Sequence, residues 1–341
     1  AAGGFVAALL GQVADQGVFA VSDHRGRLWL KAGVSDVFVT VGAVRTSQSG
    51  APSLDVLAWG DVPKGLPVML NLRLEGAGLD DALYRDPAGI ARRLSSLLDQ
   101  QWDSAMRAGV RPRGFMVDVP VPVRSPSSLA GCMRRVRRDA RGGAEVWLCV
   151  PAPLVYSSGV RQLAGCADFI VLRTFWEQPV RTVAEACACG LEPEQVSRWV
   201  SAARRARLRF GVLIDPRARL YPLNSQGKVS GPGVVGAGGA AGWLPREADR
   251  VAAGVRGEDR MLYGAPGRNP SAFVRAPPAR GLKALAACLP RPGHDGYLGW
   301  VIAVNPAATP DLGMGDTDMQ AALEGRVCSP APVLHVQRMK D

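Results

Sequence analysis

Short apolar runs that do not alternate with polar residues recur along this chain, and each is stopped by a proline, a glycine or a charge. They are Val37–Val41, Pro67–Leu74, Phe115–Asp118, Ala144–Val150, Ala167–Arg173, Arg209–Asp215, the weaker Met261–Gly264, and Gly299–Asn305. A strand that is apolar at every position is buried on both faces, the condition of a parallel sheet covered by helices. The stretch Gly114-Phe115-Met116-Val117-Asp118-Val119-Pro120-Val121-Pro122 states the pattern most sharply. Four apolar residues run into one carboxylate. Pro120 and Pro122 cannot donate to a ladder, so the strand ends near Asp118.

Helices fall between the runs. Asp86-Pro87 opens one that extends to about Arg107, with Asp86 as N-cap and Pro87 as its first residue. Leu94, Leu97, Leu98 and Trp102 recur in it at helical spacing. Ser125-Pro126 opens a second, to about Arg138, and Glu192-Pro193 marks a third, over 193–207. Further helices are expected at 4–16 (apolar Phe5, Val6, Leu9, Leu10 and Val13, with Gly17 as C-cap), around 160–165, at 179–188, 246–255 and 282–289, and near 318–324.

Eight apolar strands separated by helices predict an α/β fold, a (β/α)8 TIM-type barrel, with 1–341 as one domain and an irregular course after the sixth strand. Residues 227–242, nearly all Gly and small residues, read as a flexible surface loop. An open doubly wound sheet is the alternative. It lacks support because no Gly-x-Gly-x-x-Gly or P-loop follows any strand, and the Gly-rich stretch at 231–240 lacks a Lys-Ser/Thr pair.

The net charge is +11, with 36 Arg against 5 Lys. The main clusters, Arg134, Arg135, Arg137, Arg138 and Arg204, Arg205, Arg207, Arg209, fall on or beside expected helices and mostly face solvent. No aromatic residues are interleaved to stack bases, so the charge does not point to nucleic acid. No segment approaches the apolar length of a membrane span. The seven cysteines have no CxxC spacing, and Cys187-Ala188-Cys189 is wrong for a zinc or redox pair. They read as buried free thiols, which leans mildly against an oxidising compartment. The start at Ala1, without a Met, is consistent with a processed extracytoplasmic protein, and a cytoplasmic one is equally compatible. His24, His294 and His335 have no HxH or HExxH spacing, so no metal or other cofactor is expected. A Gly-x-Ser-x-Gly elbow is also missing.

Polar residues stand at the C-terminal ends of the runs, where such barrels carry their chemistry. Glu75, Asp118 and Asp215 are the candidate catalytic carboxylates. Arg73, Arg173, Glu177 and Asn305 are candidate substrate contacts, and Trp176, Tyr221 and Tyr297 are flat aromatics on which a sugar ring could stack. Paired carboxylates at one mouth suit glycoside hydrolysis, with one as acid and the other as base or nucleophile. The competing reading is an ion-pair network of Arg73, Glu75, Asp118 and Arg173 that holds the mouth together.

From Val37 to Pro216 the order of segments resembles an uncharacterised bacterial family of glycoside-hydrolase-like (β/α)8 barrels, a domain of unknown function. The matching stretches are Leu72-Arg73-Leu74-Glu75-Gly76, Val117-Asp118-Val119-Pro120-Val121-Pro122, Leu148-Cys149-Val150-Pro151, Asp168 to Leu172, and Ile214-Asp215-Pro216 with Tyr221. The resemblance implies a carbohydrate-binding mouth. Where that family carries a second Asp, this chain has Pro120. The expectation is therefore double: a barrel that binds and hydrolyses a carbohydrate, or a catalytically inactive relative that binds a glycan or a protein.

Overall fold

The computed structural model describes residues 5–10, 36–46, 53–54, 59, 67–76, 78–120, 123–174, 193–214, 219–222, 251–254, 260–264, 272–275, 288–290 and 295–304. Seven of the eight apolar runs become strands that pair side by side and point one way. The strands in chain order are β1 (Phe5–Leu10), β2 (Asp36–Arg45), β3 (Ser53–Leu54), β4 (Val68–Glu75), β5 (Pro112–Asp118), β6 (Glu145–Pro151), β7 (Phe169–Arg173) and β8 (Phe210–Ile214). Then come β9 (Arg219–Pro222), β10 (Val251–Gly254), β11 (Arg260–Gly264), β12 (Ala272–Arg275) and β13 (Tyr297–Val304). Parallel ladders run β2–β4–β5–β6–β7–β8–β13, and β1 joins β13 to β2 by pairing in parallel with both. The result is the ring of eight parallel strands expected of a (β/α)8 barrel.

The ring differs from expectation in two places. The helix expected over 4–16 is replaced, at 5–10, by the first barrel strand. Its apolar spacing is compatible with either state, and the two flanking strands supply the ladder partners that decide for β. The weak run at 261–264 is a strand but lies outside the ring. It is β11 of a separate antiparallel sheet, in the order β10-β11-β12-β9, placed between β8 and β13. Residues 251–254, expected helical, form β10 of that sheet. The expected helices at 179–188 and 318–324 and the loop at 227–242 lie outside the described residues.

Four α-helices are described: α1 (Leu79–Arg85), α2 (Pro87–Arg107), α3 (Pro126–Asp139) and α4 (Pro193–Arg205). Asp86 caps α2 as expected, its side chain accepting from the Gly89 amide at 2.7 Å, and Ser125 caps α3 in the same way. The short helix α1 just ahead of that cap was not foreseen. Between β6 and β7 two 3₁₀ turns, Ala152–Tyr156 and Val160–Leu163, stand in place of an α-helix. No described helix is long and apolar enough to cross a membrane.

Alternation along each strand divides its side chains between two cores. Val68, Leu70, Leu72 and Leu74 of β4, Phe115 and Val117 of β5, and Val146, Leu148 and Val150 of β6 pack outward with Leu94, Leu98, Leu129, Met133 and Val136 of the helices. The other row (Phe38, Met69, Met116, Trp147, Cys149, Val171 and Leu213) fills the barrel interior. Trp147 is its centre, with Phe38 at 5.1 Å and Phe169 at 4.6 Å between ring centroids.

Gly114, the third residue of β5, is a glycine because nothing larger fits. A Cβ there would lie 2.2 Å from the backbone oxygen of Glu145 on β6. Cys132, Cys149 and Cys166 are buried free thiols as expected, whereas Cys288 is free and exposed.

Two outcomes follow. Gly114→Ala forces β5 and β6 apart and lowers stability by about 1–3 kcal/mol, read as a shift in the urea midpoint at unchanged slope. Burial pushes the Cys132 and Cys166 thiols from 9.0 up to about 12. The folded chain therefore keeps protons that the unfolded chain sheds, and the stability they contribute, complete below pH 9, drains away as the pH rises from about 9 to about 12. Cys132→Ala with Cys166→Ala flattens that alkaline fall in a pH series of denaturant titrations.

Candidate active site

The inward rows change character at the C-terminal ends of the strands. On β4 the row is Met69, Asn71, Arg73, Glu75; on β5 it is Met116, Asp118; on β6, Trp147, Cys149; on β7, Val171, Arg173. The apolar floor ends at the level of Met116 and Trp147. Above it stands a polar layer facing the mouth.

The register sets that layer. Asp118 lies opposite Arg73 on one side and Cys149 on the other. Its ion pair nevertheless passes over β6 to β7, where the Arg173 Nη2 donates to Asp118 Oδ2. Both residues are buried, Asp118 2% and Arg173 8% exposed. Burial by itself would lower the Arg173 pKa, but the Asp118 carboxylate and the Cys149 sulfur outweigh it and the net direction is up. Cys149 lies against both charges. Its thiol is pushed well above its ordinary range, first by burial and then by the Asp118 carboxylate, so it stays protonated.

Beside this pair, Asn71 Nδ2 donates to Thr40 Oγ1 at 2.9 Å. Asn71 Oδ1 and Asp118 Oδ1 are buried acceptors that no donor among the described residues meets. Such acceptors call for a buried water. Thr174 ties the end of β7 to β8 by donating from Oγ1 to the Leu213 carbonyl at 2.9 Å.

At the rim the chemistry is cationic. Glu75 Oε1 meets Arg45 Nε at 3.2 Å, and Glu75 Oε2 meets Arg73 Nη2 at 2.9 Å. One carboxylate thus holds two guanidinium groups, with Arg45 48%, Arg73 40% and Glu75 18% exposed.

Of the residues expected at the mouth, the structure brings Arg73, Glu75, Asp118 and Arg173 to the C-terminal ends of their strands. They form two separate pairings rather than one network. Tyr297 stands elsewhere. It is the first residue of β13, 2% exposed, packed on Phe210 at 5.6 Å between centroids. A residue that precedes a parallel strand sits at the end opposite the mouth, which is why this tyrosine is removed from the site. Tyr221 falls in β9, paired with Phe273 of β12. Asp215, Trp176, Glu177 and Asn305 lie outside the described residues, as do His24, His294 and His335.

Sequence reasoning passed over Arg45, Thr40, Asn71 and Cys149. Asn71 carried a signal, being the one amide inside an apolar run. Arg45 becomes visible only through the parallel register that sets it opposite Glu75. After Asp118 the ladder continues for one bond, Val119 N to the Cys149 carbonyl at 2.8 Å, and Pro120 follows. Among the described residues no group of His, Cys, Asp and Glu is placed to hold a metal ion.

No family model matches the chain, and no curated protein matches it in sequence. Solved structures match it in fold. A chitinase from Chromobacterium violaceum superposes with a TM-score of 0.59 at 13% identity, over 94% of this chain and 98% of that one. The spore cortex-lytic enzyme SleL of Bacillus cereus gives 0.60 at 12% identity, over 95% and 74% of the two chains. The Group IV chitinase of Ostrinia furnacalis, in complex with allosamidin, gives 0.56 at 14% identity, over 95% and 100%. The fold of this chain is therefore similar to that of glycoside-hydrolase barrels, in agreement with the resemblance read from the strand ends.

Removing one member of the buried pair strands the other. Arg173→Met costs about 3–5 kcal/mol of stability, and adding Asp118→Leu to it recovers most of that loss, a coupling that a double-mutant cycle of denaturant midpoints measures.

Proposed function

We propose that this chain is a carbohydrate-binding barrel whose mouth takes a glycan and whose Asp118 serves to hold the mouth together rather than to donate a proton. The observation that carries this reading is the buried Arg173–Asp118 pair. A general acid must come within hydrogen-bond reach of the glycosidic oxygen. Asp118 is closed off from a substrate, and one of its oxygens already accepts from a guanidinium.

Two further features support it. Pro120, two residues past Asp118, leaves β5 without a second carboxylate. Glu75 is engaged by Arg45 and Arg73 rather than standing opposite Asp118 as an acid or nucleophile. The similarity of fold to chitinases and to a spore cortex-lytic enzyme supports a glycan as the ligand. The antiparallel sheet between β8 and β13 forms an insertion in a single barrel unit.

A panel of chitin oligomers, cello-oligomers and uronic-acid oligomers tests the reading by calorimetry, alongside an assay for released reducing ends. Saturable binding of at least one class without release of reducing ends is the expected result. Absence of binding by every class overturns the glycan reading. Release of reducing ends that Asp118→Asn abolishes while binding persists overturns the holding role of Asp118.

A further inference from the structure

Strand β2 carries an irregularity that the barrel does not require. In the β2–β4 ladder Thr40 pairs with Asn71 and Gly42 with Leu72, so Val41 is left outside the pairing. Such a bulge adds one residue to one strand and re-aims the side chains that follow it. The core shows the effect. Phe38 points into the barrel, while Val39 and Val41 pack outward with the helices. Strict alternation would send Arg45 outward with them. Past the bulge it is Val44 that joins the outward core, and Ala43 and Arg45 stand opposite Arg73 and Glu75 of the inward row of β4. The bulge therefore brings Arg45 to the mouth.

There Arg45 and Arg73 share one carboxylate, each meeting a different oxygen of Glu75. Exposed ion pairs of this kind contribute little to stability. Two cations on one anion also leave a positive charge over. Glu75 is 18% exposed against 48% and 40% for the two arginines, so the solvent side of the cluster is guanidinium. The other carboxylate described at these strand ends, Asp118, is buried against Arg173 and does not offset the surplus. Among the described residues, the strand ends at the mouth thus hold three guanidinium groups and two carboxylates.

The shared carboxylate also fixes the two side chains. A free arginine gives up rotamer freedom when it captures an anion, and here Glu75 has already restricted it. A guanidinium presents its N–H donors as a planar fork that matches the two oxygens of a carboxylate.

We propose that Arg45 and Arg73, held by Glu75, form an anion subsite at the mouth that takes the carboxylate of an acidic sugar, so that the glycan bound is of the uronic-acid type. This inference rests on the reading of the barrel as a glycan binder and names the class of glycan.

The test uses the full chain and measures Kd by calorimetry for oligogalacturonate, its methyl-esterified neutral form, a sulfated oligosaccharide of the same charge and a neutral chitin oligomer, at low and at high salt. At low salt oligogalacturonate binds about tenfold more tightly than its ester, the effect of two exposed ion pairs. It also binds more tightly than the sulfated oligomer, and high salt narrows its advantage over the ester. Arg45→Gln leaves Glu75 paired with Arg73 and cuts the preference for acid over ester to about threefold, half the free energy of the pair. The double variant R45Q/R73Q abolishes the preference. Denaturant midpoints show whether each variant is folded, and Arg45→Gln alone decides where the double variant is not.

Equal binding of the acid and its ester, or a preference undiminished in the folded variants, overturns the inference while leaving the glycan reading in place. A sulfated oligomer bound as tightly as the acid overturns the assignment to a carboxylate. Binding of no oligomer at all overturns the glycan reading and this inference with it.

Discussion

A charge pair enclosed by a barrel is the constraint to which the upper half of this molecule answers. Taking a carboxylate and a guanidinium out of water costs several kcal/mol per ion, and their attraction repays it only when the geometry is fixed. Asp118 and Arg173 meet that condition because β5, β6 and β7 hold them at set levels two strands apart. The pair also explains its neighbours. Between its two strands a small, neutral side chain is needed, and Cys149, kept protonated by burial, is one. Below it the interior is apolar, and above it Glu75 and its two arginines meet solvent.

The polar layer is thus graded. Buried and neutral in sum around Asp118, it becomes half-exposed and cationic at Arg45 and Arg73. Glycosidases of the two-carboxylate kind place an acid and its partner on either side of the scissile bond. Here the two carboxylates that the structure describes at the mouth are each matched to arginine.

Much of the barrel was legible because parallel strands covered on both faces leave an unmistakable mark. The runs at 68–75, 112–118, 145–151 and 169–173 could scarcely be anything else, and Asp86-Pro87 and Ser125-Pro126 announced their helices through chemistry local to a few residues. What escaped was whatever depends on partners. Residues 5–10 have apolar spacing that suits a helix as well as a strand, and only β2 and β13 decide the matter. The strand at 260–264 was visible, but its sheet was not, because antiparallel pairing with distant segments leaves no local trace. Asp118 and Arg173 were each picked out as mouth residues. That they meet each other, rather than the adjacent Arg73, follows from stagger round the ring and is written nowhere in the chain. Tyr297 was misplaced by polarity alone: it opens a strand, and only what stands at the far end of one reaches the mouth.

The segment between Ile214 and Tyr297 has a consequence for how such a protein changes over time. β8 and β13 are hydrogen-bonded neighbours in the ring, although residues 215–296 separate them in sequence. A parallel crossover needs only a dozen or so residues. Of the surplus beyond that, the described strands β9–β12 form their own sheet outside the barrel's ladder. That surplus is therefore exchangeable: one such insert can be replaced by another while each barrel strand keeps its neighbours.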